Sequence, residues 1–269
     1  MPTIQLDNDI FYHVDIHGSG IPLVLLHGFT GSSLNWQPII PTLAQHFAVI
    51  AIDLPGHGQS FIPAAPEECE MYTVAEDLER VLAELNIEKC LLAGYSLGAR
   101  LALYFAQSYP MLVGGLILES GSPGLADAAE RAQRQQADNE LADFIERDGI
   151  EAFVAHWENL PMWASQQHLP DDTRAWLRQL RLQNHPTGLA NILRGMGTGV
   201  QPSLWDKLPE IEMPTLLIAG ALDTKFVAIA QQMHAALPNA QLKIIPKAGH
   251  TVHLEQAALY TTAIQAYGV

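Results

Sequence analysis

The stretch KCLLAGYSLGARLALYFA, residues 89–106, decides the fold. It opens as a short apolar run of β type and closes as an apolar run of helical type, with Gly94-Tyr95-Ser96-Leu97-Gly98 between them. The two glycines permit a sharp strand-to-helix turn with Ser96 at its apex. The N–H of Leu97, at the start of the helix, is then available as an oxyanion donor. Arg100 is the one charged residue between Leu91 and Ala106. A guanidinium in an apolar run needs a partner, because desolvating an unpaired charge is costly. Two partners stay open: Glu119, at the end of GGLILE, or a ligand carboxylate. Four residues after Ser96, Arg100 lies about 6 Å along the helix axis and some 40° around it, on the serine's face.

Working outward, β-type runs recur at IPLVLL (21–26), FAVIAID (47–53), GGLILE (114–119), PTLLIAG (214–220) and QLKIIP (241–246), mostly separated by helical patterns. In TVAEDLERVLAEL, Thr73 and Glu76 form a capping box and Val74, Leu78, Val81, Leu82 and Leu85 one stripe. Near-continuous apolar strands alternating with helices predict an α/β fold with a mostly parallel sheet covered on both faces, binding ligand at the carboxyl ends of its strands. The alternation stops after Glu119. From Gly121 to Trp205 the chain reads as helices, so residues 1–120 and 206–269 are expected to form the core and residues 121–205 an inserted helical lid.

A serine needs a histidine to take its proton, and the histidine needs an acid to fix its tautomer. Asp223 follows PTLLIAG in GALDTKF, and His250 follows IIP in KAGHTVH. The order Ser, Asp, His is that of α/β hydrolases. HGF at 27–29 follows IPLVLL and supplies the N–H of Phe29 as second oxyanion donor, with His27 in a structural place beside it. Singly, Ser96 reads equally as a turn serine, Asp223 as a helix cap and His250 as a loop histidine; their order and their places after strands join them. Asp53 is a second candidate acid, but it follows the wrong strand.

Composition narrows the substrate. Hydrophobic residues make up 48% and charged residues 16%, with a formal net charge of −15 and only 14 lysines and arginines. Such a chain disfavours nucleic acid and anionic membranes, and repels acidic substrates unless arginines gather at one place. Arg134 precedes Leu141 by seven residues, within about 20° of its helical face, and Ile145 continues the stripe, so it is expected to point inward. Arg181 sits at the edge of the stripe of Leu177 and Leu180. Each alone reads as a solvated or ion-paired surface residue; three inward arginines around one serine suit a substrate with several carboxylates. Cys69 and Cys90 fit neither a disulfide framework nor a metal site, no signal-peptide pattern opens the sequence, and no apolar run reaches membrane-span length. A cytoplasmic, unanchored monomer is expected.

Over nearly its whole length the chain resembles the α/β-hydrolase fold, DLPGHGQS at 53–60 included. GYSLGAR, ESGSPGL, ERAQRQQ, HWENLPMW, the LR of RQLRLQN, and GALDTKF more closely resemble the 2-succinyl-6-hydroxy-2,4-cyclohexadiene-1-carboxylate synthases (the MenH family) of menaquinone biosynthesis. The resemblance implies a lyase that removes pyruvate from an enolpyruvyl cyclohexene triacid without metal or organic cofactor. It implies a triad of Ser96, Asp223 and His250, carboxylate binding by Arg100, Arg134 and Arg181, and substrate contacts from Tyr95, Trp157 and Trp163. Trp163 stands where another aromatic is also familiar, and for both tryptophans packing within the lid is the other reading. A hydrolase of esters or C–C bonds using the same triad, or a silent small-acid binding protein, remains open on the fold alone.

Overall fold

The computed structural model describes residues 3–268. Its eight strands are β1 (Thr3–Gln5), β2 (Phe11–His17), β3 (Ile21–Leu26), β4 (Phe47–Ile52), β5 (Cys90–Tyr95), β6 (Val113–Glu119), β7 (Thr215–Gly220) and β8 (Ala240–Ile245). They form one sheet in the order β1-β2-β4-β3-β5-β6-β7-β8, antiparallel at β1/β2 and β2/β4 and parallel elsewhere. The six apolar runs become β3 to β8, with ends within a residue or so of the sequence reading. No run before Ile21 reads as a strand, yet β1 and β2 are there. In β2 the polar residues His13 and Asp15 are buried with partners, which hides the apolar pattern a strand search relies on.

Helices cover both faces. Residues alternate along β3, so that Val24 and Leu26 pack toward α2 (Met71–Glu84) and α3 (Leu97–Ser108), while Leu23 and Leu25 pack toward α1 (Ile40–Leu43) and the C-terminal helices. Helix α2 starts earlier than the Thr73 capping box predicts. Met71 and Val74 are buried and extend the stripe upstream, so packing overrides the cap signal, and Thr73 Oγ1 instead donates to the Glu67 carbonyl at 3.1 Å.

Between β6 and β7 run α4 (Ala128–Trp157), α5 (Asp171–Leu182) and α6 (Pro186–Met196), with a 3₁₀ segment at Pro161–His168. A break at Gly149, φ 82°, divides α4 where the sequence changes from ERDG to IEAF. Ala142, Ile145, Phe153, Leu189 and Leu193 give this insertion a small core of its own, against which Phe29 and Trp157 pack. After β7 come α7 (Thr224–Ala236), α8 (Val252–Glu255) and α9 (Ala257–Gly268). The parallel register, Leu26 beside Gly94, Gly94 beside Leu118 and Leu118 beside Leu217, brings the ends of β3, β5, β6 and β7 to one edge of the sheet. That edge faces the insertion and carries the site.

Candidate active site

Ser96 lies between β5 and α3 with φ 52° and ψ −107°, a conformation that a non-glycine residue adopts only under constraint. The constraint is visible: Ser96 N–H donates to the Glu119 carbonyl at 2.9 Å, and Arg100 N–H donates to the Ser96 carbonyl at 3.0 Å. A Cβ at Gly94 would stand 2.2 Å from the Gly98 carbonyl oxygen, and one at Gly98 would stand 2.1 Å from that of Leu26. Only glycine at both positions lets the turn close against β3.

His250 Nε2 lies 3.1 Å from Ser96 Oγ, and its Nδ1 lies 2.6 Å from Asp223 Oδ2. With Nδ1–H donating to the carboxylate, Nε2 is free to accept the serine proton. Asp223 has a second duty. Its Oδ1 accepts the Phe226 N–H at 3.3 Å and caps α7. The buried imidazole is held between rings, with the centroid of Phe226 at 4.6 Å and that of Tyr95 at 5.4 Å. Tyr95 is itself buried, and desolvation, with the nearby Glu119 charge, holds its hydroxyl well above the usual phenol range.

Among the described residues the N–H groups of Phe29 and Leu97 donate to no protein acceptor, as an oxyanion pair requires. Two histidines shape the loop that carries Phe29. His27 donates from Nδ1 to the Gly28 carbonyl and accepts the Leu54 N–H at Nε2; His57 donates to the Pro55 carbonyl and accepts the Thr30 N–H. Burial lowers their pKa values to about 4 and about 3, so both are neutral. The other candidate acid, Asp53, makes no bond to His250 among the described residues: its carboxylate accepts the N–H of Ser33 at 2.6 Å and of Gln59 at 2.8 Å in the adjoining loop.

A cavity of about 1060 Å³ opens beside Ser96 and His250, walled by Phe29, Trp157 and Trp163. Arg100 lines it, but Glu119, one of the two partners the sequence left open, is elsewhere. The alternation of β6 turns Glu119, like Ile117, toward the opposite layer, where its carboxylate meets His253 Nδ1 at 2.8 and 2.9 Å. Arg100 Nη1 instead donates to the Met196 carbonyl at 2.9 Å and to Gln201 Oε1 at 3.1 Å. Crowding by protein, and repulsion from Arg134, lower its pKa to about 10, which leaves it cationic at neutral pH.

Arg134 also lines the cavity, but it is not an inward, buried group. Its side chain is 44% exposed and Nε donates to the buried Asp138 at 2.8 Å. The helical-face argument gives direction only; it does not show that this face borders an open cavity. Arg181 departs further. It is buried behind Trp163, with its guanidinium carbon 5.4 Å from the indole ring, and it donates to Glu158 and Gln166, both at 3.1 Å. It lines a small adjoining pocket and not the main cavity, because the end of α4 brings Glu158 to it. Trp157 and Trp163 both pack within the insertion and wall the cavity, and each has a buried indole N–H with no protein acceptor. Sequence reasoning passed over Lys225, which lines the cavity two residues after Asp223 and stood in the quoted GALDTKF. It also passed over Asp138 and Gln201. No local pattern marks the latter, whose contact with Arg100 spans a hundred residues of chain.

A family model of the alpha/beta hydrolase fold matches residues 21–257. An Escherichia coli O157:H7 protein named 2-succinyl-6-hydroxy-2,4-cyclohexadiene-1-carboxylate synthase is 36% identical over 90% of this chain and 92% of its own. A Bacillus subtilis (strain 168) protein provisionally given the same name is 48% identical over 88% of this chain and 86% of its own. The solved structure of MenH from S. aureus superposes with a TM-score of 0.90 at 37% identity, covering 95% of this chain and 97% of that one.

Proposed function

The chain belongs to the α/β-hydrolase fold family and, within it, to the 2-succinyl-6-hydroxy-2,4-cyclohexadiene-1-carboxylate synthases, and from that membership we propose the reaction it catalyses. The substrate is 2-succinyl-5-enolpyruvyl-6-hydroxy-3-cyclohexene-1-carboxylate; pyruvate is eliminated to leave the cyclohexadiene, a step of menaquinone biosynthesis. The observation that carries this reading is the cationic Arg100, free of any carboxylate partner among the described residues, in the wall of the cavity that holds Ser96 and His250.

In this mechanism His250, oriented by Asp223, draws the proton from Ser96 Oγ, which removes the ring proton next to the succinyl ketone. Electrons pass into a dienolate whose oxygen sits between the N–H groups of Phe29 and Leu97. Expulsion of enolpyruvate breaks the ring C–O bond and forms the diene, and the proton held on His250 returns to the leaving group, giving pyruvate. These steps call for no metal or organic cofactor. Arg100 and Arg134 hold substrate carboxylates, Tyr95, Trp157 and Trp163 shape the cavity, and the segment 121–205 acts as its lid. Arg181 reaches substrate only if Trp163 swings aside, and otherwise supports Trp163 from behind. Among the described residues no helix is long and apolar enough to cross a membrane. The same reading has the chain act in the cytoplasm as a monomer, in keeping with its two buried free cysteines and a catalytic set drawn from one chain.

Purified protein supplied with the enolpyruvyl triacid should release pyruvate, read by coupling to lactate dehydrogenase. Ser96→Ala and Arg100→Ala should both lose that release, while Arg100→Ala keeps more of its turnover of a neutral test ester. A folded wild type that releases no pyruvate but hydrolyses simple esters would support instead a hydrolase working through an acyl-enzyme.

A further inference from the structure

Arg100 is held in an unusual way. Among the described residues its side-chain acceptors are both neutral, the Met196 carbonyl and Gln201 Oε1, and both contacts go to Nη1, leaving Nε and Nη2 without a protein acceptor. Gln201 is 1% exposed and does not line the cavity, so it stands behind the guanidinium. Its own orientation is not free. Gln201 Nε2 donates to the Ser122 carbonyl at 3.1 Å, an acceptor that only the amide nitrogen can satisfy, and Oε1 is thereby turned toward Arg100. Nearby, the one carboxylate of the cluster, Asp138, takes the Nε of Arg134 and the Gly199 N–H, leaving the Nη atoms of Arg134 for the cavity. Asp127 and Glu130 also line the cavity, but neither is bonded to Arg100, so on this wall the cationic groups open to a substrate carboxylate are the Arg100 guanidinium and the Nη atoms of Arg134.

We propose that Gln201 is a positioning residue that sets the charge of the substrate site: it fixes the Arg100 guanidinium with a neutral acceptor, so that the full positive charge stays available to a substrate carboxylate. This rests on the polycarboxylate reading given above. A glutamate of the same shape would satisfy the geometry and remove the charge, because a buried guanidinium–carboxylate pair is largely self-neutralised. A glutamate there would also face the Ser122 carbonyl without a proton to donate. The lowered pKa of Arg100 agrees with a cation that desolvation and Arg134 disfavour and that no adjacent anion fully compensates.

The test compares Gln201→Glu and Gln201→Met in steady-state pyruvate release, with thermal midpoints measured with and without tricarballylate as a non-reacting polycarboxylate probe. Charge setting predicts that Gln201→Glu raises KM tenfold or more with kcat within about threefold of wild type, the pattern of lost uniform binding. Gln201→Met, which loses the acceptor but adds no charge, should raise KM only about two- to fivefold while lowering the midpoint at least as much. A methionine variant with KM raised as far as the glutamate variant, or a glutamate variant with wild-type KM, would overturn the proposal. Should the glutamate variant not fold, a folded methionine variant with unchanged KM overturns it as well. A wild type that releases no pyruvate defeats the reading of function. In that event, stabilisation by tricarballylate in wild type but not in Gln201→Glu would still support the charge argument, and equal stabilisation of both would refute it.

Discussion

Replacing Glu119 by glutamine distinguishes the two partners this residue could have had, Arg100 and His253. Both carboxylate oxygens converge on His253: they lie 2.9 and 2.8 Å from Nδ1, and Oε1 also accepts the His253 backbone N–H at 3.1 Å. Neither residue is more than 1% exposed. A glutamine oxygen can keep the bonds of Oε1, but the NH₂ group then stands in place of Oε2, a donor facing a donor. An unsatisfied buried polar group costs about 1–3 kcal/mol, and more where the lost bond involves a charged group, so a loss of about 2–4 kcal/mol is expected. Unfolding entropy of about 2.1 cal/mol/K per residue, or roughly 0.56 kcal/mol/K for the chain, converts this to a midpoint about 4–7 °C lower. Ser96 is tied to Glu119 through the main-chain carbonyl, which the substitution leaves in place. Well below the midpoint, KM and kcat for pyruvate release should therefore change less than about threefold. Thermal unfolding followed by circular dichroism reads the first quantity and steady-state kinetics the second. A wild-type midpoint combined with a several-fold higher KM would mean that Glu119 serves Arg100, and would refute the reasoning.

Asp223→Asn has one oxygen where two are needed, for His250 Nδ1–H and for the Phe226 N–H. If the amide nitrogen faces the imidazole, the proton moves to Nε2 and Ser96 loses its base, so kcat should fall by about 10⁴; a loss under tenfold would contradict the assigned tautomer. His27 and His57 are neutral when folded, with pKa values near 4 and 3, whereas in the unfolded chain each takes up a proton below about pH 6.5. Their contribution is therefore complete above that pH and is lost as pH falls toward 4, by up to about 2.7 kcal/mol per pH unit for the two together. His57→Gln should make the midpoint less dependent on pH between 6 and 4.5, and an unaltered slope would count against the buried neutral state. Gly98→Ala places a Cβ 2.1 Å from the Leu26 carbonyl oxygen and 2.6 Å from that of His27. The elbow and the oxyanion loop must then part, and pyruvate release should drop at least 10²-fold even where far-UV dichroism shows a folded chain.

What was legible in the sequence was whatever the chain states locally. Six apolar runs, each bounded by turn residues, mark β3 to β8, and two glycines around Ser96 announce a turn that tolerates no other residue. The order of Ser96, Asp223 and His250 after three of these strands was enough to place them together as candidates, because parallel strands deliver their carboxyl ends to one edge, where the three lie within hydrogen-bond reach. The partners of the charged groups were beyond local reading. Glu119 and Arg100 both lie near that edge, but the period of two in β6 and the roll of α3 send them to opposite sides of the sheet, a matter of tertiary packing. Arg181 shares a stripe with Leu177 and Leu180, yet Glu158 and Trp163 hold it behind the cavity wall. Gln201 carries no pattern at all, and becomes significant only when the end of the insertion lays it against Arg100. Periodicity and turn chemistry act over a few residues and so are written in the chain; the compensation of a buried charge depends on which distant groups arrive within 3 Å of it, and only the folded structure decides that.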